Sequence, residues 1–512
     1  MLMSSEQYRE SLRERKPTVY LNGKLVSSVA DEPLLEPGVN AIGLTYDFAL
    51  NEDFNHWMAA TEQSSGELVN RFMHINRSGQ DLLDKLEAVR VVCQYSGCAQ
   101  RYLGQDGLNA IYETVHRVDA EHNTEYSQRF MHYLHEVQKN DISLGLAMTD
   151  GKGDRKKRPA EQSNKKSYVH ISERRADGIV ISGAKSIVTG APYVHEFLVL
   201  PCRKMNEEDK DFAVCCAVPI DAKGLTIITR PAGRPGNESA KFSAKFAQSV
   251  GVVVFEDVFV PWEKVFLAGE YEHSQHLTTS FAAHHRHSCI GARAGFGDLL
   301  IGAGNLMADA NGVQIARTPH LKDRMVELIK IVEGFYACGV ASSVYGEEDR
   351  AGNYRPEKVF ANIGKLLLAN QIYDMHRVAH EVSGGLVVGL PGPEEDHNPA
   401  TSATLAEIFR GSDDVTYAHR AQVARFIEDI TASETGGWYS VISLHGGGSP
   451  AAMETEIMRN YPVLDRSELV QQLLDRDVLD IGQGPSRETQ PGKCCAPGCV
   501  GSEKIIKKND QD

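Results

Sequence analysis

No apolar run in the chain reaches the roughly 18 residues that a membrane-spanning helix needs. The opening Met1-Leu2-Met3-Ser4-Ser5-Glu6-Gln7-Tyr8 has neither the basic end nor the apolar stretch of a signal peptide, so a soluble, cytoplasmic protein is expected. Positive charge is in short supply. Lys and Arg number 54 against 69 Asp and Glu, no dense basic stripe occurs, and the three Trp are scattered, which argues against nucleic acid or an anionic membrane as partner. A P-loop is missing, and no Gly-x-Gly-x-x-Gly follows a strand; Gly295-Phe296-Gly297 comes nearest but lacks the third glycine, which argues against a nicotinamide-type fold. Ten cysteines in 512 residues, with Cys93, Cys202, Cys215, Cys216 and Cys338 in apolar surroundings, read as reduced core thiols and not as a disulfide framework.

What is present falls into blocks. Residues 1–143 read as mainly helical: Ser4 with Gln7 makes a capping box, Asn22-Gly23 a hairpin turn, and Leu82, Leu86, Val89 and Cys93 recur at helical spacing. Residues 144–268 are written in strand language. The runs Tyr168–Ile171, Gly178–Ile181, Phe197–Pro201, Phe212–Pro219, Leu225–Thr229 and Val250–Phe255 are separated by turn residues such as Asp221-Ala222-Lys223-Gly224. Two polar loops are expected inside this block, Met148–Arg155 and Ala184–Gly190. Residues 269–481 return to helical periodicity and predict a bundle, broken at Ser383-Gly384-Gly385 and at His445-Gly446-Gly447-Gly448-Ser449-Pro450. Residues 482–512, with Cys494, Cys495 and Cys499, read as a mobile tail.

Two segments carry candidate chemistry. Gly151-Lys152-Gly153-Asp154-Arg155 combines flexible backbone with two cations, suited to a pyrophosphate or flavin ring oxygen, or simply to a solvated surface turn. Phe281-Ala282-Ala283-His284-His285-Arg286-His287-Ser288-Cys289 gathers three imidazoles and a guanidinium, a candidate for metal binding or for acid–base work near neutral pH. Cys98 is a candidate further metal ligand, although two core thiols at Cys93 and Cys98 is the more ordinary reading.

Ala147–Arg155, Asp177–Lys185, Phe281–Ser288 and His445–Pro450 together resemble the flavoprotein family of 4-hydroxybutyryl-CoA dehydratase and the oxygenase component of 4-hydroxyphenylacetate 3-monooxygenase, with the dehydratase branch nearer. The resemblance implies an α+β, acyl-CoA dehydrogenase-like subunit, bound FAD and a homotetramer. It further implies that Met148, Thr149, Asp150, Lys152, Asp154, Arg155, Ser186, Thr189 and His445 contact FAD. The dehydratase's iron–sulfur ligand positions fall on Cys98, Tyr102, His285 and Ala292, so two of four ligands are gone, no conventional cluster is expected, and no metal is assigned. The positions of its proposed carboxylates fall on Val250 and Ile442, and that of its tyrosine on Cys289. The hydroxylase's phenol-gripping set is not reproduced either, since Leu146 stands where its histidine should be.

A flavin scaffold with replaced chemistry leads to three expectations. The first is a FAD-dependent monooxygenase that receives reduced flavin, with a separate flavin reductase as partner, and acts on a small organic substrate. The second is a cluster-free dehydratase or isomerase of acyl-CoA type, and the third a non-catalytic flavin-binding subunit. His285 and Tyr102 are expected to line the substrate cavity, His285 transferring protons and Arg101 or Arg286 clamping an anion.

Overall fold

The computed structural model describes residues 2–475 apart from Ser64 and Ala99. The expected tail therefore lies outside the described residues. The Ser4 capping box forms as read and starts the helix Ser5–Arg13. Asn22 and Gly23 both take positive φ, the backbone that a tight hairpin turn demands. This hairpin does not stay with the helices that follow it. Its strand Thr18–Leu21 pairs in parallel with Leu225–Thr229, so the N-terminal segment forms one edge of the central sheet.

That sheet has seven strands, ordered Lys24–Leu25, Thr18–Leu21, Leu225–Thr229, Val250–Pro261, Gly178–Thr189, Thr149–Asp150, with His170–Arg174 also paired to Gly178–Thr189. A second sheet of four strands runs Val265–Ala268, Val214–Pro219, Glu196–Val199, Leu144–Ala147. Strands were found where β-branched runs predicted them, with one correction. Ala184–Gly190 is no loop, because Gly178–Thr189 is one continuous 12-residue strand paired from end to end with Val250–Pro261. The polar side chains that made it look like a loop belong to a strand with one partly open face.

Helices flank the sheets on both sides of the sequence. Gly79–Ser96 and Tyr102–His122 precede them; Ser274–Ala310, Pro319–Val344 and Lys358–Ser383 follow and build the bundle. Small residues bring the helices close. A Cβ at Gly295 would sit 2.2 Å from the Arg90 carbonyl oxygen, one at Gly291 2.6 Å from that of Leu86, and one at Gly297 2.4 Å from Val332. The glycine pair that came nearest to a nucleotide motif is thus a helix-packing device. One apolar core joins the N-terminal helices to the sheets, and a second, around Phe296, Leu328, Phe335 and Ile372, fills the bundle. No described helix is long and apolar enough to cross a membrane.

Candidate active site

The 37-residue helix Ser274–Ala310 carries the imidazole cluster, and helical geometry disperses it. Successive side chains point about 100° apart. His284 therefore reaches the buried Glu113 at 3.0 Å, His287 the Ser343 hydroxyl at 2.7 Å, and His285 the carboxylate of Asp106 at 3.1 Å. The three do not converge on a metal. Residues four apart do share a face, so Phe281 stacks on His285 with centroids 5.1 Å apart, and Cys289 brings Sγ to 3.7 Å from His285 Nε2.

Asp106 comes from the helix Tyr102–His122. It accepts from His285, from the Ser288 hydroxyl at 2.8 Å and from the ammonium of Lys85, all buried. Burial alone would raise this carboxyl; Lys85 and His285 instead hold it down to about 2. Burial likewise works against a charged His285, but the Cys289 sulfur and Asp106 push its pKa up. Cys289 is its counterpart: burial raises a thiol, and His285, Lys365 and Arg293 outweigh that and lower it.

These groups border a partly open cavity of about 60 Å³. Tyr102, His285, Cys289 and Ala292 line one side, Arg293 and Lys365 supply two cations, and Thr189 and Gln248 face them from the sheet side. Tyr102 lies with its ring 5.8 Å from that of His285, and burial drives its phenol pKa well up, so it remains a hydrogen-bond donor. Lys365 donates to the Ser443 carbonyl at 2.7 Å, and burial lowers its ammonium to about 8. The glycine break after the helix Glu434–His445 closes the cavity: Gly447 and Gly448 take positive φ, and a Cβ on Gly447 would lie 3.5 Å from both His285 and Arg286.

Several expected site residues are placed elsewhere. Arg101 is fully buried but spent on Asp141 at 2.6 Å and on the face of Tyr46, so it clamps no ligand in the cavity. Arg286 donates to the Gly447 carbonyl at 2.9 Å and to Asn362, tying the glycine loop to the helix. The cations at the cavity are Arg293 and Lys365, which sequence reading passed over. His445 is exposed; its neighbours Ser443 and Gly446 line the cavity instead. Asp150 is buried against Lys185 at 2.7 Å and supports the sheet. Ser186 donates to the Asp150 carbonyl, and Gly151 and Asp154 use their N–H groups on Ser167 and Gln162, so the loop offers less free backbone than its composition implied. Lys152, with positive φ, is half-buried, and Asp154 and Arg155 are exposed.

The flavin expected here finds a physical fit in part. Met148, Thr149, Ser186 and Thr189 are half-buried and Ile187 is 56% exposed, an open apolar and hydroxyl-bearing shelf of the kind that accepts a flat ring. Thr189 joins that shelf to the cavity of His285. An iron–sulfur cluster finds no such fit. Tyr102 and Ala292 cannot replace thiolates, and Cys98 faces the Ala247 carbonyl with its pKa pushed up to about 11 by burial. Among the described residues, the group with metal-like ligand spacing is Glu121, His122 and His273, roughly 30 Å along the helix from Tyr102.

A small double-sheet domain between helical regions, with a cavity where the sheet meets the bundle, defines an acyl-CoA dehydrogenase-like subunit. The family models "4-hydroxyphenylacetate 3-hydroxylase N terminal" and "C terminal" match residues 4–267 and 274–475, and the chain belongs to that family, which also takes in 4-hydroxybutyryl-CoA dehydratase. It is 35% identical to the 4-hydroxybutyryl-CoA dehydratase/vinylacetyl-CoA-Δ-isomerase of Clostridium aminobutyricum, over 92% of this chain and 98% of that one. It is similar to the oxygen-tolerant archaeal 4-hydroxybutyryl-CoA dehydratase from N. maritimus, with TM-score 0.89 and 35% identity, covering 93% and 96% of the two chains. The oxygenase component of 4-hydroxyphenylacetate 3-monooxygenase complexed with FAD matches with TM-score 0.81 at 20% identity, covering 92% and 98%.

Proposed function

We propose that the chain is a FAD-dependent oxidoreductase, a monooxygenase that uses reduced flavin and dioxygen to hydroxylate a small organic molecule. The observation that carries this reading is the cavity in which Thr189, from the sheet shelf, shares a lining with His285 and Tyr102. The shelf residues Met148, Thr149, Ser186 and Thr189 would hold FAD, with Lys152 and Arg155 available to its phosphates. When bound and reduced, the flavin supplies the electrons that activate dioxygen. His285, oriented by Asp106 and carrying a proton at neutral pH, donates it to the bound substrate and recovers it afterwards, and Tyr102 donates a hydrogen bond into the same space. Arg293 and Lys365 bind an anionic substrate group, and the enclosing Gly446–Gly448 loop excludes water.

The family's two-component members support a separate reductase as source of reduced flavin. Self-association, for which the homotetramer is the form we propose, is supported by apolar surface left open on the bundle helices and beyond, including Val326, Tyr373, Leu464, Leu473 and Leu474. One observation favours a second reading, a cluster-free dehydratase or isomerase acting on an acyl-CoA: the 35% identity to the dehydratase over nearly the whole chain.

The experiment supplies reduced FAD and dioxygen with 4-hydroxyphenylacetate and other small phenols, and measures hydroxylated product by mass spectrometry. Product is expected, falling roughly 10²–10⁴-fold in His285→Asn with FAD binding and fold retained. Dioxygen-independent conversion of 4-hydroxybutyryl-CoA, without phenol hydroxylation, would replace the first reading with the second.

A further inference from the structure

Cys289 stands in a relation that neither flavin binding nor hydroxylation requires. Its sulfur is 3.7 Å from His285 Nε2, the opposite ring nitrogen is 3.1 Å from Asp106 Oδ2, and that carboxylate is fixed by Ser288 and Lys85. Thiol, imidazole and carboxylate thus lie in series, the order in which a base activates a nucleophile and is itself oriented by a third group. Phe281 stacked on the imidazole restricts its rotation. The thiol also borders the cavity, whereas Cys98, Cys215 and Cys216 do not. Against burial and the neighbouring Tyr102 and Cys93, the imidazole and the cations Arg293 and Lys365 favour the thiolate, and among the residues lining the cavity there is no carboxylate to oppose it.

We propose that Cys289 is a nucleophile that adds covalently to a small α,β-unsaturated carbonyl compound, with His285 as proton donor and Asp106 as its positioning residue. The sulfur forms a bond to the β-carbon and the C=C π pair moves to the α-carbon and the carbonyl oxygen. Arg293 and Lys365 are placed to stabilise the charge that develops on that oxygen. The α-carbon then takes the proton of the His285 imidazolium, which came from the thiol, so the step balances without an external oxidant or reductant. A thiolate is a soft nucleophile matched to a conjugated carbon. This inference stands on the side-chain geometry and is independent of whether the chain hydroxylates.

The test treats the full-length protein as purified, under native conditions, with limiting acrylamide, and follows each cysteine by peptide mass spectrometry. Cys289, only 7% exposed, is expected to react roughly tenfold faster than the more exposed Cys202 and Cys338, since a thiolate held at neutral pH outnumbers that of an ordinary thiol by about that factor. His285→Gln, checked for fold by circular dichroism and melting, should remove most of this advantage. Lys365→Met should slow acrylamide more than iodoacetamide, which has no conjugated carbonyl to stabilise. Cys289 reacting no faster than Cys202 in the unsubstituted protein would overturn the proposal, and so would a fast reaction with iodoacetamide that acrylamide does not share.

Discussion

Replacing Lys85 by Met tests whether the ion network beneath the cavity is held as the structure shows. Lys85 and Asp106 are both fully buried, and the ammonium meets the same carboxylate oxygen that accepts from Ser288. Methionine keeps the length and most of the volume, so the perturbation is electrostatic. Removing one partner of a buried pair strands the other charge, a loss of about 3–5 kcal/mol in comparable cases. His285 still faces Asp106, which puts the expectation at the low end, about 3 kcal/mol. For a chain of this size that lowers the melting temperature by roughly 6 °C, at ~2 °C per kcal/mol. Without the ammonium the Asp106 carboxyl rises from its depressed value, and Lys85→Met/Asp106→Asn should recover part of the loss by removing the stranded charge. Melting followed by circular dichroism at pH 7 reads all three proteins. A single variant within 1–2 °C of the parent, a shift worth under about 1 kcal/mol, or a double variant no better than the single, would refute the account of the pair.

Three further outcomes are expected. Thr189→Val and Arg155→Ala should each weaken FAD binding measured by flavin fluorescence titration, Thr189→Val by roughly 1 kcal/mol for one hydrogen bond; unchanged affinity in both would remove the shelf as the flavin site. Anaerobic reconstitution with iron and sulfide should leave far less than the roughly four irons per chain that a cubane contains, as iron analysis will show, because Tyr102 and Ala292 stand where thiolates are needed. Stability measured by urea unfolding should fall as pH drops from about 6.5 towards 3, the range spanned by ordinary histidine and the buried carboxylates. Burial lowers His195 and His287 to about 3, so their neutral forms stabilise above the unfolded histidine value and lose that contribution in acid. Asp106 and Glu113, against burial, are held at about 2 by Lys85 and by His284 respectively, and add a loss in the same direction that begins near pH 4. A flat profile between pH 6.5 and 4 would contradict these assignments.

Local patterns settled a large part of this protein before any tertiary contact was known. The capping box at Ser4, the Asn22-Gly23 turn, the strand Leu225–Thr229 and the helices through Leu328 and Ile363 all depend on short-range propensity and periodicity, which are properties of the residues themselves. That His285 and Tyr102 meet at one cavity was legible too, through the family resemblance. What remained hidden depends on which distant segments meet. Thr18–Leu21 could not be assigned to the sheet because its parallel partner lies some 200 residues on. Ala184–Gly190 looked like a loop because a strand with one open face carries polar residues that pairing, not composition, explains. Arg101 and Arg286 are as cationic as Arg293 and Lys365; only packing directs the first pair to Asp141 and the glycine loop and the second pair to the cavity. Cys289 was legible only as the position where the related dehydratase carries its tyrosine. Its chemistry comes from an imidazole one helical turn away and from a carboxylate on another helix, and such an environment exists only once the helices have packed.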